Sequence, residues 1–120
     1  MSAQYSRLVR ITFWFALVMS YILALLPQDV APQFEGLSDK TLHFLAFAVL
    51  MLLLMLSYRM VWWKSVMWLL GYAVLIELSQ ACTPTRCADT LDVVADVIGI
   101  GIGLLFYTGY KRMEAFFADS

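Results

Sequence analysis

Charge is what this chain has least of. Only 14% of its 120 residues are Asp, Glu, Lys or Arg, while 62% are hydrophobic. A soluble domain carries about 25% charged and about 45–50% apolar residues. So short a chain cannot bury that much apolar surface in a water-soluble core, which leaves an integral membrane protein. No basic patch with interleaved aromatics is present, so nucleic acid is not expected as a partner. There is no HExxH motif, Walker loop or Gly-rich phosphate cradle. Two cysteines are too few for a structural zinc site by themselves. No small-x-small cleavage site follows the apolar run that begins after Arg7 and Arg10, so that run reads as a retained helix rather than a signal peptide.

What the chain does have is four apolar segments, at about 9–26, 41–58, 62–82 and 92–110. A helix needs about 20 such residues to cross a hydrocarbon core of about 30 Å. The expected fold is therefore a single all-α membrane domain of four transmembrane helices. Only 12 residues separate Lys64 from Glu77, and 14 separate Asp96 from Lys111. Neither stretch spans alone, which puts Glu77 and Asp96 inside the membrane zone. Arg7, Arg10, Arg59, Lys64, Lys111 and Arg112 flank one side, and only Lys40 and Arg86 the other. The positive-inside rule then makes both termini cytoplasmic and turns the loops 27–40 and 83–91 outward. Trp62 and Trp63 would sit at the inner interface, where aromatic rings are favoured. At about 1.5 Å per residue, His43 lies roughly 3 Å, Asp96 roughly 7 Å and Glu77 roughly 10 Å below the outer edge.

The ionisable residues gather at that outer end: Asp39, Lys40, His43, Glu77, Arg86, Asp89, Asp92 and Asp96, with Gln80 among them. Ionisable groups at membrane depth are costly and mark functional sites by default. Asp39, Lys40 and His43 share one helical face, as do Glu77 and Gln80. His43 would serve as a proton carrier or ligand, or simply as an interfacial imidazole. Glu77 needs a partner, and Arg86 or Lys40 could supply one. Arg86 offers five fixed donors suited to a carboxylate or phosphate, or to a plain salt bridge. Asp89, Asp92 and Asp96 form a stripe, with Asp89 placed to cap the helix start. Gly99 and Gly103 continue the stripe as a small-x-x-x-small pair that admits a close neighbour. Internal packing is the expectation for it, and a homo-oligomer is the other use. Cys82 and Cys87 flank the outer loop, where an oxidising exterior favours a disulfide. Five acids against two bases leave the cluster at −3 with His43 neutral. A divalent cation on Glu77, Asp92 and Asp96, or protons shared among them, would relieve that charge.

The pattern Asp39-Lys40-x-x-His43-Phe44, then Glu77-x-x-Gln80, then Pro84-x-Arg86, then Asp92, Gly99 and Gly103, resembles the VanZ-like family over roughly residues 39 to 103. The first segment adds nothing distinctive to it. The family usually carries asparagine where this chain has Asp96; a protonated aspartic acid offers the same donor and acceptor. The resemblance implies a small multi-pass protein of the bacterial cytoplasmic membrane. Some members are linked to reduced susceptibility to teicoplanin.

The leading expectation is an envelope protein whose outward polar pocket binds or acts on a lipid or cell-wall-linked substrate. His43, Glu77, Arg86 and Asp92 are the candidate catalytic residues, and Lys40, Gln80 and Arg86 the candidate substrate contacts. Two other classes stay open. One is a non-catalytic membrane adaptor whose buried polar network is structural; the other is a small transporter or flippase subunit. A path would need polar residues in the inner half. The segments 51–56 and 104–106 have none, which counts against a full channel in a monomer.

Overall fold

In the computed structural model, residues 3–25, 39–58, 60–82 and 90–118 are described, apart from the side chains of Ala3, Asp39, Lys40 and Thr90. They form four helices: α1 (Ala3–Leu25), α2 (Asp39–Tyr58), α3 (Trp62–Ala81) and α4 (Thr90–Ala118). The described helices contain no proline, so each backbone ladder closes on itself, as a non-aqueous surrounding demands. The helices outrun the apolar segments at both ends of the chain. α1 takes in Arg7 and Arg10, and α4 continues past Tyr110 to Ala118. At 1.5 Å per residue α4 is roughly 43 Å long, well over the membrane core.

α1, α2 and α4 are each long and apolar enough to cross a membrane. α3 is as long as α2. It carries Lys64, Glu77, Gln80 and three tryptophans, and its hydropathy falls short of the same measure. Side-chain contacts give the helix directions. Arg10 and Trp14, early in α1, meet Ser57 and Tyr58 at the end of α2, so these two helices are antiparallel. Ser20, Tyr21 and Ala24 of α1 meet Tyr72, Ser79 and Gln80 in the same order along α3, so α1 and α3 are parallel. Phe44 and Ala48 of α2 approach Gly99 and Gly103 of α4, so α2 and α4 are parallel too. The bundle is up-down-up-down.

α2 is the central helix, and its largest interface is with α4. Phe47, Leu50 and Met51 are completely covered, packed with Leu69, Ala73 and Ile76 of α3, Ile100 of α4 and Phe13 of α1. The outside is apolar as well: Phe15, Trp68, Leu78, Leu105 and Phe106 are all exposed. Soluble monomers rarely show contiguous apolar surface on this scale, whereas lipid tails require it.

Candidate functional site

The close approach of α2 and α4 builds the site. A Cβ on Gly99 would meet the Phe44 backbone, and one on Gly103 would meet the Ala48 backbone and lie 2.7 Å from the Met51 Cβ. Only glycine lets the backbones come this near. The expectation of internal packing for the two glycines holds. One turn before Gly99, Asp96 reaches His43, the residue just before Phe44. His43 Nδ1 lies 3.1 Å from Asp96 Oδ1, and His43 Nε2 lies 4.0 Å from Asp92 Oδ2. One imidazole is thus held between two carboxylates that stand one turn apart on α4.

Accessibility grades across the three. The Asp96 side chain is 2% exposed, that of Asp92 12% and that of His43 17%. The deepest carboxylate therefore grips one ring nitrogen at hydrogen-bond distance, while Asp92, on the side of the other nitrogen, is less deeply buried. A gap of 4.0 Å is too long for a direct hydrogen bond, and it is a spacing a water or a substrate hydroxyl can bridge. A carboxylate that holds one imidazole nitrogen sets which nitrogen carries the proton, and so readies the other to give or take one.

α3 supplies the other expected residues. Glu77 is half-buried and has an interaction of its own. Gln80 is 2% exposed, and its Nε2 donates to the Ala24 carbonyl at 2.9 Å. Its Oε1 is buried with no hydrogen-bond partner among the described residues. The observed contact ties Gln80 to the end of α1. Among the described residues no three His, Cys, Asp or Glu side chains form a group that could hold a metal ion, and Glu77, Asp92 and Asp96 do not make one. Arg86, Asp89 and Cys87, and the side chains of Asp39 and Lys40, lie outside the described residues; Cys82 is exposed at the end of α3.

The first segment proves more than a plain anchor. Tyr72 of α3 donates to the Leu17 carbonyl at 2.7 Å, and its hydroxyl lies 2.6 Å from Ser20 Oγ. Tyr21 and Ser79 pair at 2.6 Å. With Gln80 and Ala24 these contacts make a polar ladder between α1 and α3 that leads up to the end of the bundle where His43 lies. The sequence signal was there, in the hydroxyls at 20 and 21 facing those at 72 and 79, but no spacing rule couples two separate helices. Tyr72 also stacks at a tilt on Phe47, one turn below His43, at a centroid distance of 5.7 Å.

The sequence model of the VanZ/LLP1 family matches residues 3–112. The chain belongs to the VanZ/LLP1 family. The match takes in all four helices except the last turns of α4, so the α1–α3 ladder and the His43 cluster both fall within the VanZ/LLP1 region. No curated protein and no solved structure matches the chain.

Proposed function

We propose that this VanZ-like membrane protein binds or processes the head group of a lipid or cell-wall-linked substrate at the outer face of the bacterial cytoplasmic membrane, with His43 and Asp92 as its proton-handling pair. The observation that carries this reading is one imidazole between two α4 carboxylates. A single carboxylate at 3.1 Å would be enough to pin α2 to α4. The second, nearer the surface, belongs to an acid–base site. Asp96 orients His43; His43 Nε2 and Asp92 face the incoming group. Arg86 and Lys40, from the loop and the start of α2, supply cations for an anionic head group, and Glu77 lines the same outer layer.

All four helices cross in this reading. α2 and α4 run parallel and both are long enough to span. The chain must therefore return between them, and α3, of 20 residues and roughly 30 Å, is the segment that can do so. The excess of Lys and Arg at the other end of the bundle makes that end cytoplasmic. Both termini lie there and the His43 cluster faces outward.

A second reading has its own support. The His43–Asp96 contact lies directly above the Gly99–Phe44 approach, so the cluster could act as a helix staple in a non-catalytic adaptor. Teicoplanin susceptibility of a host expressing each variant at matched membrane levels separates the two. Under the site reading His43→Ala, Asp92→Asn, Glu77→Gln and Arg86→Ala return susceptibility to the empty-vector level, while Asp96→Asn stays near wild type. If the His43 and Asp92 variants keep the full phenotype, the staple reading replaces the site. If Asp96→Asn is as damaging as Glu77→Gln, Asp96 works as an anion rather than as a hydrogen-bonding support.

A further inference from the structure

An apolar groove lies at the opposite end of the bundle from the His43 cluster. It has a volume of about 860 Å³ and runs between α1, the end of α2 and α3, lined by Trp14, Tyr58, Trp63, Lys64, Trp68 and Gly71 among others. Trp14, Trp63 and Trp68 are each more than half exposed, so the groove is open along its side. From Lys64 to Leu75, its lining residues along α3, the groove runs roughly 16 Å at the helical rise. That is about half the hydrocarbon core, or one leaflet. Its volume lies in the range of ligand pockets, about 300–1,000 Å³.

Charge is confined to one end of this groove. Lys64 lines the mouth, with its Nζ 5.6 Å from the Trp63 ring centroid. At the edge, Arg10 donates from Nε to the Ser57 carbonyl at 3.0 Å and lies over the Tyr58 ring at 5.0 Å. Arg7 and Arg10 line a neighbouring hollow that shares Trp14 with the groove. The deep end is apolar: Leu17, Leu54, Leu69 and Leu75. Cations at the interface with a leaflet-long apolar slot below complement an amphiphile with a negative head and a hydrocarbon tail. Basic pockets between transmembrane helices take anionic head groups for this reason.

We propose that this groove is a specific site for an anionic phospholipid of the inner leaflet, with its head group at Lys64 and Arg10 and an acyl chain along Trp68, Gly71 and Leu75. Gly71 is a built-in probe. A Cβ there meets nothing within 4 Å, so Gly71→Phe fills the slot without moving the core. Trp62 faces a different hollow beside α4, where Lys111 is paired with Glu114 and Arg112 is the remaining cation, and serves as the comparison.

The full chain is reconstituted in vesicles with a single tryptophan, either Trp68 or Trp62, the others being replaced by phenylalanine. Brominated phosphatidylglycerol or brominated phosphatidylcholine is then titrated in, and quenching is read. Trp68 should reach half-maximal quenching at a phosphatidylglycerol fraction about fivefold lower than that for phosphatidylcholine, the scale of one cation at a charged surface. Trp62, beside a hollow without a leaflet-long slot, should show a smaller preference. Lys64→Gln should remove the preference, and Gly71→Phe should remove the low-fraction component while leaving ordinary contact quenching. Equal quenching by both lipids at Trp68, an equal preference at Trp62, or an unchanged preference in Lys64→Gln overturns the proposal. Shielding of Trp68 from both lipids in a cross-linkable dimer also overturns it, and assigns the groove to a second copy of the chain.

Discussion

Replacing Gly99 by alanine should damage the polar cluster without touching any of its side chains. The added Cβ would lie 3.0 Å from both the Cα and the carbonyl carbon of Phe44, and nearer still to its carbonyl oxygen. Carbon contacts are comfortable at about 3.5–4.0 Å, so α2 and α4 must part by roughly 1 Å at this level. His43 adjoins Phe44, and Asp96 is one turn before Gly99, so the separation falls on their 3.1 Å contact. It opens to about 4 Å, beyond a hydrogen bond. Overpacking of this kind costs about 1–3 kcal/mol, and the lost hydrogen bond adds about 1 kcal/mol. The better helix propensity of alanine returns up to about 1 kcal/mol. The net cost is roughly 1–3 kcal/mol, on the order of 5–10 °C in melting temperature. Thermal unfolding in detergent measures it, with Gly101→Ala as the control, because a Cβ at Gly101 meets nothing within 4 Å. Gly101→Ala should melt with the wild type. Should Gly99→Ala melt there too, with an unchanged susceptibility phenotype, the helices are not held as close as the geometry requires and the reasoning about the site fails.

Other perturbations test separate parts. Tyr72→Phe removes the hydrogen bonds to the Leu17 carbonyl and Ser20; in a bilayer such bonds average about 0.6 kcal/mol each, so about 1 kcal/mol should be lost with the phenotype retained, and a loss matching Gly99→Ala would make the α1–α3 ladder the main fastening. Reporter fusions at Ser120 and near Phe34 should read cytoplasmic and extracytoplasmic respectively; a periplasm-active reporter at Ser120 would turn the cluster to the inside. Cys82 is exposed, and alkylation of protein from an oxidising compartment should find it bridged to Cys87, with two blocked thiols by mass; two freely labelled cysteines would remove the bridge.

Four helices and their approximate extents were legible along the chain, because hydropathy is a one-dimensional property and a membrane reads it segment by segment. The same is true of the Asp92, Asp96, Gly99, Gly103 stripe, which needs only the helical period. Its glycine half was correctly read as a close packing face. α3 is the instructive exception. Its polar residues lower its hydropathy, yet Ser65 and Gln80 point into the bundle and Trp68 and Leu78 point out, so composition alone understates how apolar its exposed face is.

Partner choice was not legible. Depth counting put His43, Asp96 and Glu77 in one layer, but a layer leaves open how each helix is turned about its axis. It took the packing of Gly99 on Phe44 to rotate α4 so that Asp92 and Asp96 both face His43. It took the parallel alignment of α1 and α3 to give Gln80 the Ala24 carbonyl, and to bring Ser20 and Tyr21 into the polar system. Periodicity relates residues within a helix. Which helix lies beside which, and at what rotation, follows from backbone approach at small residues and from satisfying buried polar groups. Those conditions exist only once the four helices have packed together.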